Sequence, residues 1–325
     1  MDKIMQMMQG MPLITDKIGN IVTRFAPSPN GAMHMGHAFA ALCAHDFAKL
    51  HDGEFMLRIE DIDGNRTRVE HVDSIFAMLN MLNITPDRVQ YQSKNIHAYQ
   101  MALHKLDEMG IIYPCFCSRH DIANRVKQKP VRHGPDGPNY PGTCRNIDRE
   151  LAMSKKSIQP YSLRLNMAEA LKLAQIKSTH LYWHDVQSGM HRADPAIFGD
   201  IIIWRKDAPA SYHLASVVDD GGDAHHHGGR VISHIVRGMD LMAYSDIHIL
   251  LSCLLDLTPK IYWHHPLLLD AGGEKLSKSK NSPSLWDIEQ RAKDAGQWYD
   301  GFGQDLAHNL RHLSFPPGIR LSTNI

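Results

Sequence analysis

Phe25-Ala26-Pro27-Ser28-Pro29-Asn30-Gly31-Ala32-Met33-His34-Met35-Gly36-His37 is the stretch whose reading decides how this chain folds. Before it lies Ile21-Val22-Thr23-Arg24, a short β-branched run that reads as a buried strand. After it comes Ala38-Phe39-Ala40-Ala41-Leu42-Cys43-Ala44, rich in helix formers. The order is therefore strand, Pro/Gly turn, helix. Such a turn offers free backbone N–H groups and a positive dipole end to an anion. His34 and His37 share one face of the first helical turn. Gly36 between them leaves room for a flat group against the backbone. Two imidazoles over bare backbone suit a nucleotide, although the stretch by itself also reads as a surface turn with polar histidines.

A second stretch, Gly272-Gly273-Glu274-Lys275-Leu276-Ser277-Lys278-Ser279-Lys280-Asn281-Ser282, stands near the other end. A charge run of this kind is commonly a solvated loop. Here glycines, serines and three lysines also make a flexible loop able to close over phosphates. Lysine is a mobile point charge, suited to a pyrophosphate that is stabilised and then released. Together the two stretches resemble the paired HIGH-like and KMSKS-like motifs of class I aminoacyl-tRNA synthetases, as His34-Met35-Gly36-His37 and Lys275-Leu276-Ser277-Lys278-Ser279. Their order and wide separation fit that class.

Length and composition set outer bounds. The chain has 325 residues, room for two domains or one with insertions. Lys plus Arg equals Asp plus Glu at 35 each, so net charge carries no nucleic-acid signature. No apolar run approaches the roughly 20 residues of a membrane span, and the start has no signal-peptide core. Five cysteines, an odd number, argue for a reducing cytoplasm.

Residues 1–20 read as a Met-rich extension without a motif. Phe55 to Ile59 reads as a second strand, parallel to the first across a βαβ crossover. It ends in Glu60-Asp61-Ile62-Asp63, where open α/β sheets bind ligands. Glu60 could grip an ammonium group, and the cluster also reads as a helix start. The segment is similar to the Arg-Ile-Glu-Asp-Thr-Asp pattern of glutamyl-tRNA synthetases, with Ile62 in place of Thr. Val69, Val72, Ile75, Phe76, Leu79 and Leu82 mark a helical face expected to be core, and a second helix is expected over 95–109. A short strand is expected at 111–113.

Cys115-Phe116-Cys117 and, beyond a Pro/Gly-rich loop, Cys144 suit a tetrahedral zinc site that needs a fourth ligand. Tyr140, His133 and His120 are the candidates, and ligand chemistry alone favours a histidine. The pattern Cys-x-Cys then Tyr-x-x-x-Cys resembles the zinc module of the glutamyl-tRNA synthetase group, which implies Tyr140. Residues 145–200 read as a connective insertion, with a strand-like Tyr161 to Leu165. Phe198 to Arg205 reads as a buried strand that returns the chain to the nucleotide-binding sheet.

Ser211 to Asp220 resembles a Tyr-His-Leu-Ala-x-Val-Val-Asp-Asp signature of the same group. Tyr212 fits it, while Ser216 stands where Asn is common. Gly221 to Gly229 contains His225-His226-His227, which could bind a metal but reads better as a loop insertion. Arg237, delivered by a strand into a Gly turn, suits bidentate capture of a carboxylate, or else pairs with Asp240 on the surface. Helical spacing recurs at 245–257, 286–295 and 302–313.

The resemblance runs from Arg24 to about Ser282. It implies an α/β fold: a Rossmann-like parallel sheet with a zinc-binding and connective insertion, and a small helical C-terminal region. The units expected are 1–20, an extension; 21–112 and 198–240, two halves of the nucleotide-binding domain; 113–197, the insertion; and 241–325, a helical region carrying the lysine loop. Only about forty residues follow Ser282, which leaves no room for an anticodon-binding domain and points to a short paralogue within the group. The implied activity is activation of L-glutamate with ATP and Mg²⁺, and transfer to queuosine in the anticodon of tRNA(Asp). His34, His37 and Lys278 would be catalytic, and Gly36 and Lys275 would join them in holding ATP. Arg24, Ala26, Ser28, Glu60, Tyr212 and Arg237 would hold glutamate. Cys115, Cys117, Tyr140 and Cys144 would hold structural zinc. The rivals are a truncated enzyme charging tRNA(Glu) and a non-catalytic module that senses amino acid or RNA.

Overall fold

The computed structural model describes residues 2–8, 21–178, 180–221, 231–276 and 282–322. The strands of three residues or more are β1 (Val22–Phe25), β2 (Glu54–Ile59), β3 (Arg88–Tyr91), β4 (Ile112–Cys115), β5 (Ser162–Leu165), β6 (Tyr182–Asp185), β7 (Gly189–Arg192), β8 (Ile202–Trp204), β9 (His234–Gly238) and β10 (Ile261–His265). β1 and β2 are buried along their whole length, as expected of parallel strands covered on both faces. The crossover between them is the helix Met35–Leu50, whose small residues Ala38, Ala41, Ala44 and Ala48 let it lie close on the sheet.

Two parallel ladders meet edge to edge. One runs β1-β2-β3 and the other β9-β10-β6-β7, with only the β6/β7 hairpin antiparallel. They join where Ser233 N–H donates to Val22 O at 3.0 Å and Val22 N–H donates to Ser233 Oγ at 2.8 Å. From this seam the chain winds outward in opposite directions. The cleft at the carboxyl ends of β1 and β9 is thus a topological switch point, where open α/β sheets take ligands. A second core lies beneath, built by helices Ile96–Glu108, Met167–Lys177, Tyr212–Gly221 and Tyr244–Leu255. No helix among the described residues is long and apolar enough to cross a membrane.

Several expectations are corrected. The run 198–205 is not one strand: Pro195–Phe198 is a 3-10 turn, and β8 pairs antiparallel with β5, which pairs with β4. β6 is the strand that first returns the chain to the main sheet, and β9 brings it back again after β8. The boundaries drawn at 113–197, 198–240 and 241–325 cut across this pairing, because β6 and β10 both belong to the main sheet while β8 belongs with the insertion's strands. β6 escapes a sequence reading because Tyr182-Trp183-His184-Asp185 is not an apolar run. On helix Val69–Met81, Val69 and Phe76 are 75% and 36% exposed. The helix rests on the narrower stripe Ile75, Met78 and Leu79, one face of an α-helix.

Candidate functional site

The cleft at the seam has a volume of about 830 Å³. It is lined by Arg24, Ala26, Ser28, His34, Gly36, His37, Glu60, Tyr212, Arg237 and Lys275, which are all the glutamate and ATP candidates within the described residues. Lys278 and the 225–227 histidines lie outside those residues, as does most of the 1–20 extension.

The histidine turn is built differently from the expectation. His34 is the N-cap of helix Met35–Leu50, and its Nδ1 accepts from Gly36 N–H at 3.1 Å. His37 Nδ1 in turn accepts from His34 N–H at 3.1 Å. The two imidazoles thus form a reciprocal capping box, with ring centroids 3.8 Å apart. Backbone N–H groups expected to be open to an anion are satisfied by these rings. With Nδ1 used as an acceptor, each neutral ring carries its proton on Nε2 and presents a donor there. At Gly36 a Cβ would lie 3.0 Å from His34 Cε1, so any side chain there would press on the His34 ring. The flat group against this backbone is the His34 ring itself.

Beneath the cleft lies a buried charge network that the sequence reading did not foresee. Arg24 makes a two-point contact with Asp220, Nε to Oδ1 at 2.9 Å and Nη2 to Oδ2 at 3.2 Å, and also donates to Val236 O at 3.3 Å. Arg58, fully buried, donates to Asp220 and to Glu60 Oε1, the latter at 3.2 Å. Asp219 accepts from Gln92 at 2.7 Å, Asn95 at 2.6 Å and Tyr99 at 2.9 Å. Burial would raise the Asp220 carboxyl, but Arg24 and Arg58 hold it well below the usual carboxylate range. Glu60 ends up raised, burial outweighing the pull of Arg58 and Arg24, and Ser28 Oγ donates to its Oε2 at 3.4 Å. One signal was available in the sequence: an arginine inside the apolar run Phe55-Met56-Leu57-Arg58-Ile59 needs a buried anion.

Arg237 forms the opposite wall. It does not pair with Asp240, whose carboxylate contacts the Lys275 ammonium instead. Its guanidinium is buried and donates to His264 Nε2 at 3.1 Å, Ser245 Oγ at 2.7 Å and His248 Nδ1 at 3.3 Å. No carboxylate among the described residues lies within 4 Å of it. Tyr212 opens the helix Tyr212–Gly221 beside it, and burial raises its hydroxyl. Ser216 does not line the cleft. It is buried below it, with no hydrogen-bond partner for Oγ among the described residues. Asp136 and Tyr244, which carried no sequence signal, also line the cleft, as do His213 and Asp240, which stand within the sequence motifs but outside the expected site residues.

The described residues on either side of 277–281 contact the cleft. Leu276 N–H donates to Leu268 O at 3.0 Å, and Leu285 N–H donates to Met33 O at 2.8 Å beside a bridge from Ser284 to His34. Leu276 and Ser284 thus stand beside the histidine turn.

Away from the cleft, the sulfurs of Cys115, Cys117 and Cys144 lie within 4.8 Å of one another. Tyr140 Oη stands among them, 3.3 Å from Cys115 Sγ and 3.5 Å from Cys117 Sγ. The 3.6 Å between Cys117 and Cys144 Sγ is close to the ~3.8 Å that two sulfurs span on a tetrahedral zinc with bonds of about 2.3 Å. His120 is exposed and bonds Asn124, and His133 is exposed in a two-stranded hairpin. Of the three candidates for a fourth ligand, only Tyr140 has the geometry.

Residues 20–296 match the family model described as tRNA synthetases class I (E and Q), catalytic domain. The chain is 38% identical over 272 residues to the glutamyl-Q tRNA(Asp) synthetase of Rhodobacter capsulatus, covering 82% of this chain and 93% of that protein. It is 35% identical over 263 residues to the glutamyl-Q tRNA(Asp) synthetase of Burkholderia cenocepacia, covering 81% of each. Glutamate–tRNA ligase 2 of Brucella melitensis is 31% identical over 273 residues, 83% of this chain and 58% of that one. The crystal structure of glutamate-tRNA synthetase from Elizabethkingia anophelis superposes with a TM-score of 0.63 at 22% identity, covering 80% of this chain. That likeness concerns the fold, and the chain spans about half the length of that synthetase.

Proposed function

The chain belongs to the family of class I glutamyl and glutaminyl tRNA synthetases, and from that premise we propose that it activates L-glutamate with ATP and transfers the glutamyl group to queuosine in the anticodon of tRNA(Asp). A carboxylate oxygen of glutamate attacks the α-phosphorus of ATP, the bond to the bridging oxygen breaks, and pyrophosphate leaves. A hydroxyl of the tRNA then attacks the acyl carbon of glutamyl-adenylate, and AMP leaves. No side-chain nucleophile is required, so positioning and charge stabilisation carry the rate.

The observation that carries this reading is the cleft itself, with His34 and His37 on one wall and Arg237, lacking a carboxylate partner among the described residues, on the other. His34, Gly36, His37, Lys275 and Lys278 take the ATP side. Arg24, Ala26, Ser28, Glu60, Tyr212 and Arg237 take glutamate, with Glu60 facing its ammonium group and Arg237 its side-chain carboxylate. Mg²⁺ accompanies ATP and neutralises charge on the pyrophosphate. Cys115, Cys117, Tyr140 and Cys144 hold one structural zinc, which cross-links a loop with little apolar content of its own. The free thiols and the substrates fit a cytoplasmic enzyme.

Labelled glutamate and ATP, offered with tRNA pools containing or lacking queuosine, test the transfer. Label is expected only on queuosine-containing tRNA(Asp). Label on tRNA(Glu) regardless of queuosine would make the Brucella-type ligase activity the correct one. For the metal, Cys117→Ser is expected to lower zinc from one per chain towards none by elemental analysis, and full retention would remove the site.

A further inference from the structure

The three donors of Arg237 end on neutral acceptors, and the chemistry of each is fixed by the next group out. Arginine can only donate, so His264 Nε2 holds a lone pair and its proton sits on Nδ1. That Nδ1 lies 2.8 Å from Asp185 Oδ2. Asp185 is buried and anchored in turn: His264 N–H donates to Oδ2 at 3.0 Å, and Gln187 and Ser188 N–H groups donate to Oδ1 at 3.0 Å each. On the other side, His248 Nδ1 accepts from Arg237, which turns His248 Nε2 towards His213 Nδ1 at 3.4 Å. Burial keeps both imidazoles unprotonated at neutral pH: in His264 it outweighs the opposing pull of the Asp185 carboxylate and, with the Arg237 charge beside it, leaves the ring at about 4, and in His248 the Arg237 charge adds to it and holds the ring well below its ordinary value. The other carboxylates about the cleft are engaged elsewhere: Asp220 by Arg24 and Arg58, Glu60 by Arg58, Asp240 by Lys275 and Asp136 by Tyr244.

The carboxylate that orients Arg237 therefore stands one imidazole away from it. The guanidinium is held at all three nitrogens without a counter-ion in contact. We propose that Asp185, through His264, is the positioning residue for Arg237, and that the neutrality of the Ser245, His248 and His264 cage sets the pocket's preference for a side-chain carboxylate over its amide. Glutamate brings the missing negative charge, whereas glutamine brings a dipole. The proposal rests on glutamate being the substrate.

The test measures ATP–pyrophosphate exchange by the full chain with glutamate and with glutamine. In Asp185→Asn the amide donates to His264 Nδ1 and moves the proton to Nε2, where it opposes the Arg237 N–H. The logic is that of a triad carboxylate that fixes a histidine tautomer. The expected result is a KM for glutamate about tenfold higher or more, with kcat and the KM for ATP within about twofold. Ser245→Asp supplies an internal counter-ion, and kcat/KM for glutamate is expected to fall by about a hundredfold while the glutamate-to-glutamine ratio moves towards one. An active wild type whose Asp185→Asn keeps its glutamate KM, or loses only kcat, overturns the inference. So does a Ser245→Asp variant with an unchanged ratio. If one variant does not fold, the other decides. A wild type with no glutamate-dependent exchange overturns the activity reading and this inference together.

Discussion

Arg237→Ala is expected to lower glutamate-dependent ATP–pyrophosphate exchange by about a thousandfold, roughly 4 kcal/mol at about 1.4 kcal/mol per decade. The size follows from burial. The guanidinium sits in the cleft wall, 5.1 Å from the Tyr262 ring centroid and bonded to three neutral acceptors. Alanine leaves a ligand carboxylate facing imidazoles and a hydroxyl in a desolvated pocket, where an unpaired charge is costly. Two of those acceptors, His264 and His248, would then also lose their donor. Arg237→Lys retains the charge but not the planar fork, and a smaller loss of about ten- to a hundredfold is expected. Exchange assays at varied glutamate separate the two. Near-normal activity in the alanine variant would mean that the carboxylate is read elsewhere in the cleft.

What was legible in the sequence was whatever depends on local pattern. The β-branched run before the Pro/Gly turn, the helix formers after it and the Phe55–Ile59 strand each carry their own signal, and all three form as expected. Cys-x-Cys followed by a distant cysteine likewise places three sulfurs together. Partnership was not legible. Asp219 and Asp220 close an apolar helix, and nothing in their neighbours says that they meet Gln92, Asn95, Tyr99, Arg24 and Arg58 from four other segments. Asp185 lies in a polar strand that no periodicity marks, yet it orients a residue 79 positions away. His34 and His37 were legible as a pair, but their use as mutual caps depends on the rotamers that set Nδ1 against backbone N–H. A capping box is ordinarily read from Ser/Thr and Glu/Gln.

The same histidine-rich interior predicts a marked acid sensitivity. Among the described residues five histidines are buried with depressed pKa values: His213, His234, His264 and His265 at about 4, and His248 well below its ordinary value. Burial is the leading cause in each. For His234, which bonds Ser233 at the seam between the two ladders, His51 and His184 push in the same direction. In the unfolded chain these imidazoles titrate near 6.5. A depressed folded pKa means that the unfolded state binds more protons below that point. The stabilisation is thus whole above pH 6.5 and is lost as pH falls from 6.5 towards 4. With up to five protons taken up on unfolding, the slope is on the order of 3–7 kcal/mol per pH unit around pH 5. Carboxylates whose pKa is lowered by folding act in a lower window. Asp185 is raised by burial but brought down to about 2 by its bonds to His264, Ser188 and Gln187. Its contribution is present above pH ~4 and lost only below it. Urea unfolding between pH 7.5 and 5 separates the two groups, because loss of stability in that range belongs to the histidines. His234→Gln removes one of the protons taken up, and its stability curve is expected to be flatter between pH 6.5 and 5. A wild-type curve flat over that interval would mean that these imidazoles find charge partners on protonation and are not held neutral by burial.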